Sequence, residues 1–319
     1  MRQRAIASLS VSEVGFGAAQ LGNLYRETSD DEASGAVDAA WQRGIRYFDT
    51  APHYGVGLSE RRLGAALRTR PRDEFVVSTK VGRRLVPTPE RAAAGILDLD
   101  DGFAAPATHR REWDFSRDGV LRSIEGSLDR LGLDRIDIAY LHDPDDHWDD
   151  ASSTGVSALI ELRDQGVVRA VGAGMNQAAM LVRFIERCDI DVVMVAGRHT
   201  LLDRSAQDRL LPLAAERDVA VVSAAVYNSG LLSNPVVRDD ATYDYGPAPA
   251  DVIAHGRRLA EVCTRHGVTL PEAAVQYPLR DAAVASVVVG MRTADQVNST
   301  VDRYEAPISA ETWQELERA

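Results

Sequence analysis

Eight short runs rich in β-branched and aromatic residues recur along the chain, separated by stretches with helical spacing, and this alternation constrains the fold more than any other feature. The runs are Val14 to Leu21, Arg46 to Thr50, Phe75 to Lys80, Ile136 to His142, Val168 to Gly174, Val192 to Gly197, Ala220 to Tyr227 and Ser286 to Gly290. Most are apolar at nearly every position. Strands of that kind are covered on both faces, as in a parallel sheet packed against helices. The intervening stretches carry helix punctuation. Ser29 with Glu32 makes a capping box, Ala33, Ala36, Val37, Ala40 and Trp41 form one apolar stripe, and Gly44 offers a stop. A second helix runs from Ser116 through Val120, Ile124, Leu128 and Leu131 to Gly132, and Thr154 to Gly166 reads as a third.

Eight such units can close into a barrel or open into a doubly wound sheet. Gly15 and Gly17 in the first run are followed by Ala18, Ala19 and Gln20, which breaks the GxGxxG spacing of a dinucleotide-binding open sheet. The expected fold is therefore an α/β protein, a (β/α)₈ TIM barrel, with its 319 residues forming one domain over 1–319. Two gaps between strands are about twice the usual length, Arg83 to Phe115 after the third strand and a segment that opens with Leu231 to Pro249 after the seventh. Long loops at these strand ends are expected to be unstructured walls or lids of an active site.

Charge narrows the partners. With 48 acidic residues against 36 Lys and Arg, the chain carries a net charge of −12, which disfavours nucleic acid phosphates and anionic lipid surfaces. Cys188 and Cys263 are the only cysteines, so neither a disulfide framework nor a thiolate metal site is expected, and a reducing cytoplasm suits them. No run approaches the roughly 18 apolar residues of a membrane span, and the N-terminus lacks a signal-peptide core.

Four polar residues stand at or just beyond the ends of three consecutive runs: Asp49 and Tyr54 after the second, Lys80 after the third and His142 after the fourth. A Tyr hydroxyl, with an ordinary pKa of about 10, needs help to move a proton near neutrality. A lysine ammonium favours the phenolate, a carboxylate holds that ammonium in place, and an imidazole binds the reacting oxygen. Such a set transfers protons to or from a carbonyl or hydroxyl oxygen. It contains no electron acceptor, so a redox reaction here requires a bound cofactor.

The stretch FDTAPHYGVGLSERRLG from Phe48, the Lys80 strand end and the LHDPD run from Leu141 resemble the aldo-keto reductase superfamily over nearly the whole chain. The resemblance implies a (β/α)₈ barrel that uses NADP or NAD without metal, with Asp49, Tyr54, Lys80 and His142 as catalytic tetrad. It implies that Tyr227 stacks on the nicotinamide, that Ser229, Gly230 and Leu231 line the pyrophosphate, and that Gly17, Gly290 and Thr300 belong to the cofactor site. The Ser-Asn pair usual after the fifth strand is reduced here to Asn176, and Met194 stands where a Gln is common. Gly290 and Gln296 occupy the places where NADP-preferring relatives have Lys and Arg, which leans the chain toward NAD, with Arg292 near enough in sequence to compensate.

Further stretches, among them REWDFSRDGV, AGRHTLLD and VYNSGLL, are similar to the branch of L-fucose (D-threo-aldose 1-) dehydrogenases and pyridoxal 4-dehydrogenases. That likeness implies oxidation of an aldose at its anomeric carbon to the lactone, with pyridoxal oxidation or general aldehyde and ketone reduction as alternatives. The expected partner is a small carbonyl or hemiacetal compound, with His53 and Trp113 against it and His109, Arg110 and Arg111 as further polar contacts. A reading from another class is a nicotinamide-binding, redox-sensing regulatory subunit.

Overall fold

A computed structural model describes residues 1–319. Eight parallel strands close into a barrel: β1 (Val14–Gly17), β2 (Tyr47–Asp49), β3 (Val76–Val81), β4 (Ile138–His142), β5 (Ala170–Met175), β6 (Val192–Ala196), β7 (Ala220–Ala224) and β8 (Val284–Gly290). They are paired in chain order around the ring, with β8 beside β1. Each of the eight expected runs falls on a strand, although β3 and β5 extend past their runs to Val81 and Met175 and β8 begins earlier, at Val284. The first and seventh are shorter than their apolar stretches, because the chain turns into a 3₁₀ segment at Ala19–Gly22 and into a left-handed Ala225 (φ +54°).

The uniform apolarity of the runs follows from this closure. In β4, Ile138 and Tyr140 face a cluster inside the barrel, whereas Ala139 and Leu141 join the larger core between barrel and helices. Each strand is therefore buried on alternate faces by two different environments. The outer layer includes α1 (Asp30–Gln42), α2 (Leu58–Leu67), α3 (Arg117–Leu131), α4 (Val156–Asp164), α5 (Ala178–Arg187) and α6 (Leu210–Glu216). It is completed by α7 (Ala250–Arg265), α8 (Leu270–Gln276), α9 (Ala294–Glu305) and α10 (Ala310–Arg318). The Ser29–Glu32 capping box opens α1, and Ser116 caps α3 by accepting from Gly119 N–H. The third helical segment departs from the expected start. A helical turn begins at Trp148 and passes through a wide π-helical stretch at Ala151–Gly155 before α4.

Two features were not foreseen in the apolar pattern. An antiparallel hairpin, Gln3–Ile6 with Leu9–Ser12, closes the bottom of the barrel, and its Ile6, Leu9 and Val11 pack with Tyr47, Ile138 and Tyr140. Its strands are short and alternate in polarity, so they lack the continuous hydrophobicity of the barrel strands. The loop after β3 is not unstructured either: Arg83–Pro87 pairs antiparallel with His109–Trp113, with a short helix at Pro89–Ala93 between them. The loop after β7 contains only a two-residue ladder, Thr242–Tyr243 against Gly246–Pro247.

Candidate active site

The segment after β2 places the first two polar residues by a tight local lock. Asp49 is the last residue of β2, and Tyr54 follows in a turn in which Gly55, Val56 and Gly57 all have positive φ. A Cβ on Gly55 would stand 2.2 Å from the Gly22 carbonyl oxygen, so only glycine permits the close approach that seats Tyr54. Ser59 Oγ donates to the Ala18 carbonyl, and the buried Glu60 carboxylate accepts from Thr79 Oγ1 and Arg130 Nε. Much of the Asp49–Gly64 motif thus anchors α2 against β1, β3 and α3, which holds the Tyr54 turn rigid.

Lys80 and His142 arrive from the ends of β3 and β4. Lys80 Nζ donates to Asp49 Oδ2 at 2.7 Å, to the Thr50 carbonyl at 3.0 Å and to Tyr54 Oη at 3.1 Å. The Tyr54 and His142 rings stand 5.9 Å apart and nearly perpendicular. Below them, Ser78 Oγ donates to Asp49 Oδ1, and Tyr47 Oη lies within hydrogen-bond distance of both Ser78 Oγ and Tyr140 Oη. The polar chain therefore extends from the mouth into the barrel interior.

Burial acts on Lys80, Tyr54 and His142, and neighbouring charges oppose or reinforce it. It would lower Lys80, but the Asp49 carboxylate, followed by Tyr54, outweighs it and holds the ammonium above its ordinary 10.5. For Tyr54 burial raises the pKa and Lys80 opposes it without cancelling the rise, so the hydroxyl is protonated at neutral pH and is a proton donor as it stands. Burial, reinforced by Arg83 and Lys80, drives His142 well below 6.5. A neutral imidazole offers one N–H and one acceptor nitrogen to a substrate oxygen.

These residues open into a cavity of about 780 Å³ lined by Gly17, Gln20, Asp49, His53, Tyr54, Lys80, His142, Asp143, Asn176 and Gly290, among others. It sits at the C-terminal face of the strands, where barrel enzymes carry their chemistry. The Aldo/keto reductase family model matches residues 13–319. The chain belongs to the aldo/keto reductase family.

This aldo/keto reductase is 49% identical over 316 residues to a D-threo-aldose 1-dehydrogenase from Pseudomonas sp, covering 99% of this chain and 96% of that one. It is 39% identical to a pyridoxal 4-dehydrogenase from Microbacterium luteolum, with 97% and 94% of the two chains covered. Among solved structures, the holo form of an aldo-keto reductase from Bacillus halodurans superposes with a TM-score of 0.79 at 28% identity, covering 100% of this chain and 96% of that one. The protein is thus an oxidoreductase of a family that uses NAD(P).

The cofactor candidates separate into two groups. Gly17, Asn176 and Gly290 line the cavity, as do Gln20 and Met194. Gln20 Oε1 is buried without a partner, an acceptor awaiting a donor of the kind an amide or hydroxyl supplies. A Cβ on Gly290 would meet the Gln20 amide at 2.4 Å. These openings and the orphaned amide suit a nicotinamide dinucleotide. Tyr227 lies apart: its ring packs against the outer core and its hydroxyl accepts from Arg303, while Ala224 and Ala225 form the wall at the end of β7. Leu231 is buried in the core around α7, and Thr300 is buried on α9. Ser229 and Gly230 stand exposed in the turn after β7, where Ser229 Oγ accepts from Tyr245 N–H.

Arg292 is not a free cation. Its guanidinium donates to the carbonyls of Leu24 and Arg26 and to Thr28 Oγ1, and its N–H donates to Gln296 Oε1. On the substrate side, His53 lines the cavity as a neutral ring, pushed down to about 2 by burial and by Arg83 and Arg111. Trp113 does not reach the cavity. It stacks on Phe115 with Arg83 over its face, and Arg111 is held by Asp98, Asp101 and the His53 carbonyl. His109 and Arg110 line a separate polar recess with Trp113. Missed from the sequence were Gln20, Phe103, Asp143 and Tyr245 on the cavity wall. Only Asp143 had a local signal, its place directly after His142.

Proposed function

We propose that this enzyme oxidises the anomeric carbon of an aldose to the corresponding lactone, using NAD in preference to NADP. The observation that carries the reading is the Tyr54–Lys80–Asp49 hydrogen-bond array beside a neutral His142, within a cavity whose wall carries ionisable polar groups rather than a purely apolar lining. Tyr54 and His142 flank a position where one substrate oxygen sits within reach of both. On oxidation that oxygen's proton passes to Tyr54 once Tyr54 has released its own proton to solvent; Lys80 stabilises the phenolate so formed through its ammonium, which a short bond to Asp49 holds in place. His142 orients the oxygen without a charge. The nicotinamide supplies the hydride acceptor when bound. The 49%-identical relative named for aldose oxidation supports the substrate class. In general reduction the same groups run in reverse, with Tyr54 as donor. The free thiols of Cys188 and Cys263 suit a cytoplasmic setting.

Absorbance of reduced nicotinamide, followed after mixing the protein with NAD or NADP and a panel of L-fucose, D-arabinose, L-galactose, pyridoxal and simple alcohols, tests this. Fast signal with an aldose is expected. Pyridoxal turnover far above that of every aldose would assign the pyridoxal reaction instead.

The preference for NAD rests on the absence of a cation at Gln296 and on the commitment of Arg292 to carbonyls of the β1 loop. Gln296 is exposed in the first turn of α9, where a helix N-terminus favours an anion. Gln296→Arg is expected to raise the NADP to NAD ratio of kcat/KM by about 10-fold or more, the scale of one charge-assisted phosphate contact. Initial rates with both cofactors check it.

A further inference from the structure

Asp143 follows His142 directly and lines the same cavity, yet the proton chemistry of Tyr54 does not use it. Its φ of +41° lies in the left-handed region, which non-glycine residues adopt only where the surroundings hold them and which recurs at ligand sites. The holding contacts are visible. Its N–H donates to the Gly174 carbonyl at 3.0 Å, and its Oδ2 accepts from Arg83 Nη2 at 2.6 Å. Oδ2 also lies 3.5 Å from His142 Nε2, while Oδ1 has no hydrogen-bond partner in the chain. The side chain is 35% exposed. A carboxylate is thus fixed beside the imidazole that receives the reacting oxygen, with one oxygen atom left to accept.

We propose that Asp143, oriented by Arg83, accepts a hydrogen bond from the hydroxyl on the carbon next to the reacting carbon, and so selects substrates that carry that hydroxyl. Neighbouring oxygens on a sugar ring stand about one hydrogen-bond length apart, and His142 and Asp143 are consecutive residues lining one cavity, with Asp143 Oδ2 3.5 Å from His142 Nε2 and the unpartnered Oδ1 on the same carboxylate. A substrate that presents its reacting oxygen to Tyr54 and His142 therefore carries the adjacent hydroxyl toward Asp143. Arg83 keeps the carboxylate aimed and compensates its charge against burial, and a partly desolvated carboxylate is a strong acceptor for a neutral hydroxyl. A substrate lacking the hydroxyl leaves that acceptor unpaired, which gives discrimination as well as affinity. Asp143 is thus a specificity residue, and the inference rests on the sugar reading above.

The test compares an aldose with its 2-deoxy counterpart as substrates of the wild type, Asp143→Ala and Asp143→Asn. The wild type is expected to favour the aldose by about 10- to 100-fold in kcat/KM, and Asp143→Ala to erase most of that preference. Asp143→Asn tolerates the left-handed backbone and is expected to fall between the two, which guards against loss through misfolding. A preference as large in Asp143→Ala as in the wild type, with both substrates slowed alike, overturns the proposal and leaves Asp143 acting only through His142. If no aldose is oxidised, the proposed function fails but the inference is still read. Reduction of 2-hydroxypropanal is then compared with that of propanal: a wild-type preference lost in Asp143→Ala supports it, and equal rates in the wild type overturn it.

Discussion

Tyr54→Phe is expected to lower kcat by about 10²- to 10⁴-fold, the usual share of a positioned general acid or base. The ring remains, so its packing against Phe103 and beside His53 is kept, and cofactor affinity measured by fluorescence titration should stay close to that of the wild type. What disappears is the one hydroxyl bonded to Lys80 and directed into the cavity. His142 and Lys80 remain, and neither replaces it: the imidazole is neutral and held far from protonation, and the ammonium is held above its ordinary value by Asp49 and Tyr54. Because the loss lies in the chemical step, kcat and kcat/KM should fall together. Turnover in the mutant within a few-fold of the wild type would remove Tyr54 from the reaction.

Lys80→Met should affect both activity and stability. Lys80 and Asp49 are each buried, with side chains 3% and 4% exposed, and joined at 2.7 Å. Removing the ammonium leaves the Asp49 carboxylate with Ser78 as its remaining side-chain donor, an uncompensated buried charge of the kind that costs about 3–5 kcal/mol. Urea unfolding should show that loss as a lower midpoint at unchanged slope. The pH dependence has a definite sign. Lys80 is more basic in the folded protein than its ordinary 10.5, so its stabilisation is fully present below about pH 10.5 and fades as pH rises through the higher native value. The mutant should lose that alkaline component. Adding Asp49→Asn to Lys80→Met removes the orphaned charge and should restore part of the stability while turnover stays low, which separates the structural from the chemical role of the pair.

What the sequence disclosed follows from how locally each feature is encoded. All eight strands were legible because closure buries both faces, which leaves continuous apolar runs such as Ile138–Leu141. Asp49, Lys80 and His142 were legible because each stands at the end of such a run, and Tyr54 because it stands just beyond one. The bottom hairpin escaped because Gln3–Ser12 alternates in polarity and finds its apolar partners only across the barrel. Tyr227 was expected at the nicotinamide because the resemblance to the family implies a stacking aromatic ring at the end of the seventh run. The chain leaves the strand at Ala224, however, and the left-handed Ala225 carries Tyr227 away from the cavity toward Arg303. Arg292 posed a similar difficulty: nearness in sequence to the α9 terminus says nothing of the carbonyls of Leu24 and Arg26 that fold back over its guanidinium. Trp113 belongs to a hairpin whose pairing turns its ring onto Phe115 and Arg83.

The hairpin between Arg83 and Trp113 closes upon itself through its own backbone ladder, whereas Asp49, Tyr54, Lys80 and His142 stand on the barrel strands and the turn after β2. The hairpin and these four residues therefore occupy parts of the chain with different histories open to them. Insertions, deletions or wholesale exchange of the hairpin can redraw which molecules are admitted while Asp49, Tyr54, Lys80 and His142 are inherited untouched. Arg83 is the exception: it begins the hairpin and grips Asp143 on the barrel side, so it marks the seam across which a transplanted loop must remain compatible with its host.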